Sequence, residues 1–301
     1  MLVYSSGFAD EAGKVVLLLS DSAEVYRAVA NDTMRDILKR CNHALPNCSR
    51  VSFESVVADV PNGTPAHDAD LLIAFGSKAA VDSSMYGFKG QMILSMIPRQ
   101  NIAGEVFDRR TDRAVKIFID QPCERYFELI KAIMPRAVQV GLMLSSSDAA
   151  KQKSLLEAAS NVGLEMVIRE VDSNGQIGEA LSELRGSIDV LLALPDSRIH
   201  NSRTIPNILT TSYRNHIPVI GFSSSYVKAG AIAAVYTSLE DISHQVSDVA
   251  IKALSSAGVE QQDQQAEYFS VSINYDVARS LGIVIRSPED IKEAMRVKSP
   301  E

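Results

Sequence analysis

Short continuous apolar runs alternate with longer amphipathic stretches along most of the chain. Residues 15–19, 51–57, 71–75 and 92–94 read as strands, all but the second apolar throughout. Between the first two, Tyr26, Val29, Thr33 and Ile37 recur at helical spacing. The pattern restarts at 115–119 and continues with strands at 138–144, 164–171, 188–194, 218–221 and 231–235. Helices are expected over Tyr126, Phe127, Ile130 and Ile133, ending at Pro135, over Leu155, Ala159 and Val162, closed by Gly163, and from Pro206. One more amphipathic helix carries Leu239, Ile242, Val246, Val249 and Ala253. A Gln-rich loop at 261–265, a strand at 268–273 and a helix from Asp276 follow. Strands without in–out alternation belong in parallel sheets covered on both faces. Two βαβ series, near 14–97 and 137–235, therefore predict an α/β protein of two doubly wound parallel-sheet lobes. The expected division is a tail at 1–13, an N-terminal lobe of 14–115 plus 238–265, and a C-terminal lobe of 116–237 plus 266–301. A three-segment hinge is expected near 113–118, 236–240 and 264–268, since short crossings join the lobes.

In open parallel sheets, ligands bind beyond the carboxyl ends of the strands. Ser20 and Asp21 follow the first strand, and Gly76 and Ser77 the third. Ser145, Ser146 and Ser147 follow the first strand of the second series. Later strands run into Asp196 and Ser197 and into Phe222, Ser223 and Ser224, with Tyr226 just beyond. Two readings compete for each. Ser and Asp are favoured helix N-caps, and free amides at helix starts also bind carboxylates. Asp196 carries a charge that could neutralise a ligand ammonium group. Phe222 and Tyr226 are either core or ligand wall. These thirteen positions are the candidate ligand-binding residues.

Composition narrows the class. The 301 residues are 46% hydrophobic and 22% charged, the profile of a globular protein. The formal net charge of −7 argues against nucleic acid as a partner, and no apolar run reaches membrane-spanning length, so no membrane insertion is expected. A monomer is expected. No nucleophile elbow, P-loop or GxGxxG is present, and the five histidines stand outside metal-ligand spacing. No catalytic residue, metal or cofactor is expected. His200 stands four residues from Asp196, a weak signal. Cys41 and Cys48 bracket a short loop, and a disulfide and two free thiols are both open readings. Gly7 and Ala9 are spaced like the small residues of a secretory cleavage site, which reads as a signal-peptide remnant, with an irregular cytoplasmic tail as the alternative.

The second half of the chain carries a resemblance. Val140-Gly141-Leu142-Met143-Leu144, Asn161-Val162-Gly163-Leu164, Val190 to Asp196, His216 to Ser223, and Tyr226-Val227-Lys228-Ala229-Gly230-Ala231 are its blocks. Asn274, Ala278 and Leu281-Gly282-Ile283 form its ending. The chain resembles the ABC-transporter substrate-binding family that includes tryptophan- and tyrosine-binding members, well over 115–285 and weakly over 14–110. The resemblance implies a periplasmic-binding-protein type I fold, with a small polar ligand held between two lobes and delivered to an ABC permease. It implies a periplasmic location, Asp196 as the acid that holds a ligand amino group, and the serines at 145–147 and 223–224 beside the ligand. Where the family commonly has an acid late in the first lobe, residues 92–100 have none. A sensor coupled to a membrane signalling protein, and an enzyme, are the alternative functions.

Overall fold

The computed structural model describes residues 13–44, 51–58, 68–99, 111, 114–145, 149–255 and 262–296. The cleavage-site residues, Cys48, Ser146 and Ser147 lie outside them. The chain forms two compact units, Met1–Asp120 with Thr237–Tyr268, and Gln121–Tyr236 with Phe269–Glu301. It therefore passes from one unit to the other three times.

The first unit is built on five parallel strands: β1 (Lys14–Leu19), β2 (Ser52–Val57), β3 (Leu71–Phe75), β4 (Gln91–Ile97) and β5 (Ala114–Phe118). Their order is β2-β1-β3-β4-β5. Every residue of β3 and β5 is buried, as continuous apolar runs require when both faces are covered. Leu17, Ile73 and Phe75 face a core closed by α1 (Glu24–Ala44) and α8 (Leu239–Leu254). Leu18, Leu72 and Leu94 face the opposite core with α2 (Ser77–Met85). The sequence boundary at 115/116 placed most of β5 in the second lobe. Instead β5 pairs with β4, so 116–120 belong to the first unit, as do Thr237 and residues 266–268. The Gln-rich segment also joins this sheet. Gln264 bridges β5, donating its N–H to the Lys116 carbonyl at 2.7 Å and accepting from the Phe118 N–H at 3.0 Å. It thereby covers part of an edge that would otherwise present unpaired backbone groups.

The second unit repeats the same order. Strands β6 (Gln139–Leu144), β7 (Glu165–Glu170), β8 (Val190–Leu192), β9 (Val219–Gly221) and β10 (Ala233–Tyr236) are parallel, and β11 (Ser270–Ile273) adds antiparallel to β10. The sheet runs β7-β6-β8-β9-β10-β11. Helices α3 (Cys123–Ile133), α4 (Ala149–Asn161), α5 (Ile177–Leu184), α6 (Ile205–Arg214), α7 (Ser224–Ala229), α9 (Tyr275–Ser280) and α10 (Pro288–Arg296) accompany it. Short α2 and α7 have too few turns to show the periodicity that exposes the longer helices in the sequence, whereas α5 carries Ile177, Ala180, Leu181 and Leu184 at helical spacing on its buried face.

Helices α1 and α8 pack extensively against each other. Val29, Ala30, Thr33 and Ile37 form one buried face of α1, as their 3–4 spacing predicts. On α8 the matching positions include Ser243 and Ser247, whose hydroxyls donate to the Val29 and Thr33 carbonyls at 3.3 Å. Small side chains let the backbones approach. A capping box fixes the start of α8: Ser238 Oγ accepts from the Asp241 N–H, and the Asp241 carboxylate accepts from the Ser238 N–H. Ser247 is fully buried, so Ser247→Leu forces the helices apart and should destabilise the first unit by about 1–3 kcal/mol. Ser247→Ala should cost less. Urea unfolding followed by circular dichroism checks both, and equal midpoints for Ser247→Leu and wild type would refute this packing.

Candidate functional site

In both sheets the chain reverses its winding direction between the first and third strands of the series. These are β1/β3 in one unit and β6/β8 in the other. Such switch points open a crevice outside the strand ends. The first-unit candidates gather at the β1/β3 point. Ser20 continues the ladder, donating its N–H to the Phe75 carbonyl at 3.1 Å. Its buried Oγ accepts the Ala79 N–H at 3.0 Å and so caps the third residue of α2 from a neighbouring strand. Gly76 has φ +93, and a Cβ there would lie 2.4 Å from Ser20 Oγ and 2.7 Å from Tyr26 Cε1. Only glycine fits this backbone and this proximity. Ser77 begins α2 half-buried. Asp21 is exposed, and its Oδ1 accepts the Ala23 N–H at 2.6 Å in the turn before α1. Capping thus occupies Ser20 and Asp21.

Further along the same edge, β4 ends irregularly. Its register with β5 shifts between Leu94 and Ile97, and Met96 adopts φ +57. The fully buried Ser95 hydroxyl has no hydrogen-bond partner among the described residues, while the Ser95 carbonyl accepts the Gly76 N–H at 2.8 Å. After β5, Asp120 accepts the Arg99 N–H at 2.7 Å, and the Arg99 guanidinium lies 3.9 Å above the Phe118 ring.

In the second unit, Ser145 is buried directly after β6. Asp196 stands beyond β8 at the start of a tight turn. Its carbonyl accepts the N–H groups of Ile199 at 3.1 Å and His200 at 2.7 Å. Ser197 is exposed, and its carbonyl accepts from the Asn201 side chain. Beyond β9, Ser223 caps α7 by accepting the Tyr226 N–H at 3.1 Å, and half-buried Ser224 begins the helix. Gly221 lets the Tyr226 ring lie against the strand, since a Cβ there would sit 2.8 Å from Tyr226 Cδ1.

His200 joins these two strand ends. Its Nδ1 is 3.0 Å from the Tyr226 hydroxyl, and its ring stands 5.8 Å from Phe222 and 5.6 Å from Tyr226. Phe222 and Tyr226 are 5.1 Å apart. The three rings form one cluster of tilted and edge-on contacts that holds the Asp196 turn against the start of α7. Tyr226 is thereby a wall of the turn, buried and shielded, whereas Phe222 is only partly covered. The structure therefore assembles Asp196, Ser197, Phe222, Ser223, Ser224 and Tyr226 at neighbouring strand ends. The sequence showed His200 only as a neighbour of Asp196. A signal for its anchoring role lay in the spacing of His200 to an aromatic pair after the next strand.

Burial lowers the His200 pKa from 6.5 to about 4, with the nearby Asp196 charge pulling the other way, and burial raises that of Tyr226. His200 is therefore neutral at pH 7. Among the described residues no group of three His, Cys, Asp or Glu side chains could hold a metal ion, and no helix is long and apolar enough to cross a membrane.

Comparison with known proteins defines the class. Residues 119–298 match the family of ABC transporter substrate binding proteins, and the chain belongs to it. A tyrosine-binding protein of Clostridioides difficile (strain R20291) is 25% identical over 173 residues, 56% of this chain and 50% of that relative. The chain thus spans about half the length of the curated relative it matches. The fold is shared with the ligand-free, open structure of a substrate binding protein with adhesive properties from Clostridium difficile. That structure has a TM-score of 0.72 and 18% identity, over 92% of this chain and 97% of the other. It is also shared with an ABC domain from Streptococcus pneumonia in complex with L-Trp, at TM-score 0.57 and 18% identity over 94% and 98%. Two α/β units of repeated topology and this match identify a two-lobed substrate-binding protein of the periplasmic-binding-protein type.

A depressed histidine pKa makes the fold acid-sensitive. The unfolded chain takes up a proton at His200 below pH 6.5, and the folded one only near pH 4. Stability is complete above about pH 6.5 and falls as the pH drops toward 4, by up to about 3 kcal/mol. Urea midpoints measured from pH 7 to 4.5 should fall more steeply for wild type than for His200→Gln. Parallel slopes would contradict a buried neutral imidazole.

Proposed function

We propose that this protein captures a small polar ligand of the amino-acid class and delivers it to an ABC permease, working in the periplasm. The observation that carries the reading is Asp196. Its carboxylate stands at the switch point of the second sheet, inside the segment that matches the substrate-binding family, with its side chain 11% exposed. A carboxylate so placed suits a ligand ammonium group, because a charge-assisted hydrogen bond gains strength where water is scarce. Partly covered Phe222 offers an apolar face beside it. The tyrosine-binding relative and the L-Trp complex support an amino acid as the ligand. Ser20, Asp21, Gly76 and Ser77 on the first unit, with Ser145, Ser146, Ser147, Ser197, Ser223 and Ser224 on the second, are proposed as further ligand contacts. Membership of the ABC transporter substrate binding family supports permease delivery.

Isothermal calorimetry with L-tyrosine and L-tryptophan tests the reading. Binding of one or both is expected for wild type. Asp196→Ala should weaken that binding at least tenfold, since losing the partner of a desolvated charge costs about 2–5 kcal/mol. Its melting temperature should stay close to wild type. An affinity unchanged by the substitution would reduce Asp196 to a turn residue.

A further inference from the structure

Asp196 does not meet its surroundings as a lone anion. Both carboxylate oxygens are engaged by Arg198, two residues on. Nε donates to Oδ1 at 3.1 Å, Nη2 donates to Oδ2 at 3.2 Å, and the Arg198 backbone N–H donates to Oδ1 at 2.9 Å. The guanidinium side chain is 49% exposed. His200, in the same turn, is uncharged at neutral pH, so Arg198 is the cation held against this acid.

The pairing changes what the acid selects. An unpaired carboxylate at a strand end favours any cation. A paired one releases its guanidinium when a cation takes its place, and a ligand that also brings an anion for that guanidinium gains a second charge-assisted contact. A half-exposed ion pair is weak and exchanges readily. A guanidinium is also the side chain whose donor geometry matches a carboxylate in a two-point contact. A ligand carrying an ammonium and a carboxylate on one carbon satisfies both partners at once. A plain amine satisfies only Asp196, and a plain acid only Arg198.

We propose that Arg198 is a specificity-determining ligand contact: it exchanges Asp196 for the ligand carboxylate, and the pair selects zwitterionic α-amino acids over amines and acids. The proposal rests on the reading of Asp196 as the acid that receives the ligand ammonium. It goes further by assigning the second charge of the ligand to a residue of this chain.

The test is calorimetry of wild type, Arg198→Gln and Arg198→Lys with L-tyrosine, L-tryptophan, tyramine and tryptamine, with melting temperatures to confirm folding. Wild type should bind the amino acid at least about tenfold more tightly than its amine. Arg198→Gln should lose about tenfold or more for the amino acid and bind the amine as well as wild type or better. Arg198→Lys, which keeps the charge but not the fork, should recover part of the loss. Equal losses for amino acid and amine, or an unchanged preference in Arg198→Gln, would overturn the role of Arg198 while leaving the amino-acid reading in place. Failure of wild type to bind any of the four would overturn that reading and this proposal together.

Discussion

Each sheet places its second strand on one side of its first and its third strand on the other, and the rest of the molecule is arranged around that reversal. Connections from adjacent strands leave in opposite directions there, so a crevice must form at the strand ends. Backbone groups at helix starts and side chains of the following loops line it. Because the order β2-β1-β3-β4-β5 recurs as β7-β6-β8-β9-β10, the chain makes this crevice twice. Helices α1 and α8 hold the first sheet from one face, and the ring cluster of His200, Phe222 and Tyr226 secures the edge of the second. The two edges are unlike in chemistry. On the first, Ser20 caps α2 and glycine stands at 76 where a side chain has no room, while the buried Ser95 hydroxyl has no hydrogen-bond partner among the described residues. The second carries an acid–base pair at its mouth.

Much of this was legible in the sequence. Strands such as 71–75 are continuous apolar runs bounded by Gly and Ser, and their burial on both faces follows from that pattern. Long helices declared themselves through 3–4 spacing. Strand β5 was harder. Its residues match the first sheet and the start of the second series equally well, and only pairing with β4 and the bridge from Gln264 decides the matter. That bridge spans well over a hundred residues of sequence, a distance that local patterning does not report. Polar residues at strand ends were visible, but their roles were not. A serine that caps a helix and one that faces a ligand are the same letter, and Ser20 is tied to Ala79 across 59 positions.

The charges show the same division. Asp196 was conspicuous as the acid that ends a strand. Arg198 was not, although two positions suffice for the guanidinium to turn back on the carboxylate. The sequence holds the pair, but only the turn closed by the His200 N–H on the Asp196 carbonyl brings the groups face to face. His200 illustrates the converse. It resembles a reactive group beside an acid, and burial instead makes it an uncharged strut whose ring connects two strand ends.

Ligand chemistry is proposed to reside at the two switch points. Amide hydrogen exchange with and without saturating L-tyrosine or L-tryptophan measures it directly. Slowed exchange is expected at 20–23 and 76–79 in the first unit and at 196–200 and 222–226 in the second, with the far strand ends unchanged. Protection confined to other segments, or to one unit alone, would contradict it.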